Sequence, residues 1–150
     1  MYANFQRGLF TMKTRFNAVL IDDDHGPMDY FAEALRGAGF TVLHIDDIDM
    51  AVDFIKSVDI FNVDLFIVDI MMLPGGTFSM EETDNGMRTG SLLARMIRGR
   101  LPRVPIAMLT NQTASREDLD IPSDSSLFRK FDESPLGFAQ KARQYIQVPA

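Results

Sequence analysis

The chain has 150 residues, of which 46% are hydrophobic and 24% charged, with a formal net charge of -6. That length suits one domain with its own core, and the balance argues against disorder. The acidic charge disfavours a nucleic-acid surface, which relies on many Lys and Arg against phosphates, and it does not favour a membrane surface either. The chain contains no cysteine, which removes disulfides, thiolate metal sites and a cysteine nucleophile from consideration.

Residues 1–15 show no clean period and read as an N-terminal extension to a domain over 16–150. The extension carries Arg7, Lys13 and Arg15 and lacks the apolar run of a signal peptide. No stretch approaches the roughly 20 apolar residues of a membrane helix, so the expectation is a soluble, cytoplasmic protein without membrane partners. Ala18 to Ile21 is a short continuous apolar run, the mark of a strand buried on both faces, and it stops at Asp22-Asp23-Asp24. Pro27 suits the first turn of a helix whose Met28, Phe31, Ala32 and Leu35 share one face; Gly37 and Gly39 end it. Phe40 to Ile45 reads as a second strand. A second helix starts near Asp49, with Ala51, Phe54, Ile55 and Val58 aligned.

Leu65 to Val68 is a third buried strand, ending at Asp69. The connection over 70–85 holds two strong turn signals, Pro74-Gly75-Gly76 and Asn85-Gly86. A third helix aligns Gly90, Leu93, Ala94 and Ile97. Val104 to Leu109 is a fourth strand, ending at Thr110. Residues 111–126 are polar, are broken by Pro122 and carry only a weak helical pattern. Leu127 to Lys130 is a short fifth strand, and Ser134-Pro135 opens a last helix with Phe138, Ala142, Tyr145 and Ile146 on one side. Alternating helices and continuous apolar strands predict an α/β fold, a doubly wound five-stranded parallel sheet with helices on both faces.

Ligands of such sheets bind outside the carboxyl ends of the strands. There the sequence places Asp22, Asp23 and Asp69, the hydroxyl of Thr110 and the ammonium of Lys130. Clustered carboxylates repel one another and call for a cation; an all-oxygen set suits Mg²⁺, which keeps several waters and accepts phosphate oxygens. With that charge neutralised, Asp69 can act as a nucleophile and form an acyl phosphate. Lys130 would hold one phosphoryl oxygen as a point charge and Thr110 would donate to another, which is most of phosphoryl-transfer catalysis.

These five positions, in this order and each at a strand end, resemble the receiver domain of two-component response regulators over roughly residues 17–147. The resemblance implies a flavodoxin-like fold. It implies Asp69 as phospho-acceptor, Mg²⁺ held by Asp22, Asp23, Asp69 and the backbone carbonyl of Met71, and Thr110 and Lys130 on the phosphoryl group. The donor would be a histidine kinase or a histidine phosphotransfer protein. The output would be contact with a downstream protein the sequence does not name, with no nucleic acid and no enzymatic turnover beyond the chain's own phosphorylation and dephosphorylation.

The sequence departs from the family in five places. Phe131 stands where a cis-proline usually follows the lysine; a non-proline cis bond costs about 2.5–4 kcal/mol, so a trans bond and a displaced Lys130 are expected. Leu127 replaces the usual aromatic switch, Asn111 replaces a very small residue, Thr77 to Thr83 lengthen the loop after Asp69 into a possible lid or partner surface, and the fourth helix is short or irregular. These departures motivate a second hypothesis, a receiver-like binding module that no longer switches. A third, a Mg²⁺-dependent phosphohydrolase, needs a general acid two residues after the nucleophile, where Met71 stands. A flavodoxin-type cofactor binder would need a Ser/Thr/Gly-rich phosphate loop after the first strand, and none follows. His25 reads as a solvent-facing loop residue and His44 as structural. Met71, Met72, Met80 and Met87 read as packing or as an adaptable surface. Arg88, Arg95, Arg98, Arg100 and Arg103 read as the solvated side and exit of a helix.

Overall fold

In the computed structural model, which describes residues 15–147, five parallel strands form one sheet in the order β2-β1-β3-β4-β5. The strands are β1 (Phe16–Ile21), β2 (Phe40–Ile45), β3 (Leu65–Asp69), β4 (Ile106–Thr110) and β5 (Ser126–Arg129). The helices are α1 (Gly26–Gly37), α2 (Ile48–Lys56), α3 (Thr89–Arg100), α4 (Arg116–Leu119) and α5 (Pro135–Gln147). The doubly wound sheet expected from the alternation is present, and the fourth helix is reduced to four residues.

Side-chain parity splits the core into two layers. Ala18, Leu20, Leu65, Ile67, Ala107 and Leu109 face α1 and α5 and pack on Met28, Phe31, Leu35 and Phe138. Val19, Ile21, Phe66, Val68, Ile106 and Met108 face the other way, onto Val52, Ile55, Leu93 and Ile97 of α2 and α3. Burial on both faces is why these strands read as unbroken apolar runs. Phe138 sets α5 against the sheet: its ring meets Phe128 edge-on at 5.1 Å and Phe31 at 5.6 Å, the preferred aromatic geometry.

Several boundaries differ from the sequence reading. β1 begins at Phe16, because Phe16 pairs with Phe40 and donates to the Gly39 carbonyl. Val58 is not on the α2 face: the helix ends at Lys56, Val58 lies exposed in a 3₁₀ turn, and Ile60 fills the core instead. β4 starts after Pro105, and β5 stops at Arg129, so Lys130 opens a 3₁₀ turn. The arginines of α3 do more than face solvent. Arg98 donates to the Leu101 and Val104 carbonyls and pairs with Asp124; Arg100 donates to those of Ile55 and Ser57; Arg95 pairs with Asp120. Arg98 and Arg100 thereby satisfy carbonyls at and beyond the exits of α3 and α2.

The long loop after β3 is a compact chain of turns. Gly75 and Gly86 take positive φ, and a side chain at Gly86 would meet the Met72 carbonyl at 2.8 Å. Buried Thr83 accepts from Gly86 N and donates to the Ser79 carbonyl. Asp49 of α2 pins the loop from outside, accepting from Gly76 N, Thr77 N and the Thr77 hydroxyl, the last at 2.6 Å. Met72 is buried, while Met71, Met80 and Met87 are exposed around this loop.

Candidate functional site

Asp22 follows β1, Asp69 ends β3 and Lys130 follows β5, and all three continue the parity of the residues facing α1 and α5. Their heads therefore arrive on one side of the sheet's carboxyl edge. One carboxylate oxygen from each of Asp22, Asp23 and Asp69 lies within 4.8 Å of the others. The Lys130 ammonium sits 2.7 Å from Asp22 Oδ2 and 3.3 Å from Asp69 Oδ2. The Lys130–Phe131 peptide is trans, as expected without proline, yet the lysine is not displaced: the 3₁₀ turn delivers it to the acids.

Asp22 and Asp69 are buried, and Asp23 is exposed. Burial, with Asp22 as a close negative neighbour, pushes the Asp69 carboxyl up to about 7 against the pull of Lys130. Burial also raises the Asp22 carboxyl. Lys130 loses some preference for its charge through burial, but the facing Asp69 and Asp22 carboxylates outweigh that and raise its pKa. One ammonium thus serves two buried acids, with a third acid at the rim.

The donor set fits a hard divalent cation. Asp22, Asp23 and Asp69 offer only oxygen ligands, and buried Asp22 Oδ2 meets the Lys130 ammonium at 2.7 Å. Asp22 Oδ1 is taken by Asp24 N at 2.9 Å, which gives Asp24 a turn-forming role. Met71 lies two residues past Asp69 with its side chain outside. With Asp23, Met72, Leu73 and Gly86 it lines the cleft beside the acids.

Thr110 is buried at the end of β4, and its hydroxyl accepts from Gln112 N at 2.9 Å. Its parity is opposite to that of Leu109, whose strand partner is Asp69. Gln112 donates in turn to the Met87 carbonyl, and its own carbonyl accepts from Arg129, which also donates to Ala114 O. Leu127 is half-buried against the α2–α3 layer, and Asn111 is exposed.

The sequence reading placed Gly90 only on a helix face and did not single out Gln112 or Arg129. Gly90 begins α3 so close to β3 that a Cβ would lie 1.9 Å from the Asp69 carbonyl oxygen. Its value as a helix-face residue was legible; the missing Cβ that lets α3 abut the Asp69 backbone was not.

No family model matches the sequence, and no curated protein matches it. Solved structures do match, 198 chains of them. A response regulator receiver protein from Sinorhizobium medicae is 20% identical with a TM-score of 0.70, over 89% of this chain and 96% of that one. The non-phosphorylated HemR receiver domain from Leptospira biflexa is 18% identical at 0.65, over 91% and 98%. A Francisella response regulator receiver domain is 16% identical at 0.66, over 89% and 98%. The fold is that of the response-regulator receiver domain. Among the described residues, no helix is long and apolar enough to cross a membrane.

Proposed function

We propose that residues 16–150 form a receiver domain that accepts a phosphoryl group on Asp69 and signals through protein contacts. The observation that carries this reading is the lysine-bridged acid cluster: Lys130 against buried Asp22 and Asp69, with Asp23 beside them. In the proposed step, a carboxylate oxygen of Asp69 attacks phosphorus of a phosphohistidine on a histidine kinase or phosphotransfer protein. The P–N bond breaks, and the imidazole leaves with a proton. Lys130 is within reach of the new phosphoryl oxygens, and the Thr110 hydroxyl, which accepts from Gln112, retains its own proton to donate.

Mg²⁺ would be held by Asp22, Asp23, Asp69 and the Met71 carbonyl, and when bound it supplies positive charge that keeps Asp69 ionised and lowers its repulsion toward phosphate. Met71 stands where a hydrolase would need an acid, which supports a stoichiometric acceptor over a turnover enzyme.

Intact mass after incubation with Mg²⁺ and acetyl phosphate tests the reading. Wild type is expected to gain one phosphoryl group only when Mg²⁺ is present, and Asp69→Asn to gain none. An unmodified wild type that also fails to bind the mimic beryllofluoride would overturn the acceptor role and leave a non-switching binding module.

A further inference from the structure

The chain has two histidines, and the fold brings both to one place. Phe40 and Val42 of β2 pack toward α1, so His44, two residues on, emerges on the same face at the strand's carboxyl end. His25 stands just before α1, and Asp29 follows it by four residues, one helical turn away on the same side. The two rings lie 5.7 Å apart between centroids. One ligand atom each from His25, Asp29 and His44 falls within 4.8 Å of the others.

Each ring also has an oxygen partner behind it. His44 Nε2 lies 2.9 Å from the Asp22 carbonyl oxygen, and His25 Nε2 is against the Asp46 carboxylate. A carbonyl can only accept, so Nε2 of His44 is the donor in this contact, and in the neutral ring Nδ1 is then free to bind a cation. This is the usual support for a metal-bound imidazole, whose second nitrogen donates to a carbonyl or carboxylate.

From these placements we infer a second cation site, separate from the acid cluster, in which His25, His44 and Asp29 bind a borderline divalent transition ion of the Zn²⁺ class. Two imidazoles and a carboxylate are poor ligands for Mg²⁺ and good ones for Zn²⁺, Ni²⁺ or Cu²⁺. Tetrahedral zinc, with bonds of about 2.0–2.1 Å, separates its ligand atoms by about 3.4 Å. His25 and Asp29 are exposed and can rotate the small distance that closes 4.8 Å to that spacing, leaving a fourth position for water. The inference does not rest on phosphorylation of Asp69.

The test is calorimetric titration of Zn²⁺ into the full chain with millimolar Mg²⁺ present to occupy the carboxylate site, backed by the visible absorption of bound Co²⁺. One equivalent should bind wild type. His25→Ala and Asp29→Asn, both at exposed positions, should each weaken binding by about tenfold or more with unchanged melting in the absence of metal, and Asp23→Asn should bind as wild type does. Three results would overturn the site: no saturable binding at micromolar Zn²⁺, binding indifferent to both exposed substitutions, or binding lost in Asp23→Asn and kept in His25→Ala.

Discussion

Replacing Asp69 by asparagine should stabilise the metal-free protein at pH 8. Asp69 has only 5% of its surface exposed, and its carboxyl titrates near 7 in the fold against an ordinary 3.8. A group whose pKa is raised by folding binds its proton more tightly in the native state. It therefore contributes stability below about pH 4, and that contribution fades as pH rises through about 7. At about 1.4 kcal/mol per pH unit, the displacement corresponds to roughly 4 kcal/mol of unfavourable ionisation at pH 8. Asparagine is close to isosteric and leaves Asp22 as the partner of Lys130, so a gain on the order of 2 kcal/mol should survive relaxation of the pocket. Urea unfolding at pH 5 and pH 8, each with and without Mg²⁺, measures it. Wild type alone should gain stability from Mg²⁺ at pH 8, because the cation favours the ionised acids, and should gain much less at pH 5. An Asp69→Asn variant less stable than wild type at pH 8 without Mg²⁺ would refute the claim that the acid cluster is electrostatically strained.

Two further substitutions probe how the site is held. Gly90→Ala places a methyl group 1.9 Å from the Asp69 carbonyl oxygen and 2.6 Å from Ile70 Cα; since neither is a flexible side chain, a loss of about 3 kcal/mol is expected in urea unfolding, and a loss below about 0.5 kcal/mol would mean that α3 does not abut β3 as described. Asp49→Ala removes the acceptor of Gly76 N and Thr77 N, so hydrogen exchange at those two amides should quicken by about tenfold, the worth of one hydrogen bond, with the β3 amides unchanged.

Much of the fold was legible because burial on both faces forces strands such as Leu65 to Val68 to be apolar without interruption. The acids at the ends of β1 and β3 were legible only as a set: Asp is common in turns after a strand, but Asp22, Asp23, Asp69, Thr110 and Lys130 all fall at strand carboxyl ends. Boundaries were harder because they depend on partners distant in sequence. Phe16 joins β1 only through Gly39 and Phe40, and Val58 leaves the helix because Ile60 takes its place in the core. The trans peptide expected before Phe131 is present, and Lys130 nonetheless meets both Asp22 and Asp69 from the start of the 3₁₀ turn. His44 looked structural, and its bond to the Asp22 carbonyl agrees, but no local pattern announced that His25 would lie beside it.

If Asp69 accepts a phosphoryl group as proposed, the contacts around β5 decide how that change would travel. Leu127 is half-buried against the α2–α3 layer and has no polar tip to trade between solvent and interior. The Thr110 hydroxyl is instead tied to Gln112 N, and Gln112 reaches Met87 at the end of the long loop and Arg129 on β5. Arg129 also holds Ala114, while Arg116 holds the carbonyls of Pro122 and Ser123, so the short α4 region is laced to its surroundings by two guanidinium groups. A group that draws the Thr110 hydroxyl toward Asp69 therefore pulls first on Gln112 and on the two loops it joins. Under the proposed function, the surface that would register such a pull is the rim formed by Met87, Gln112 and the four-residue α4.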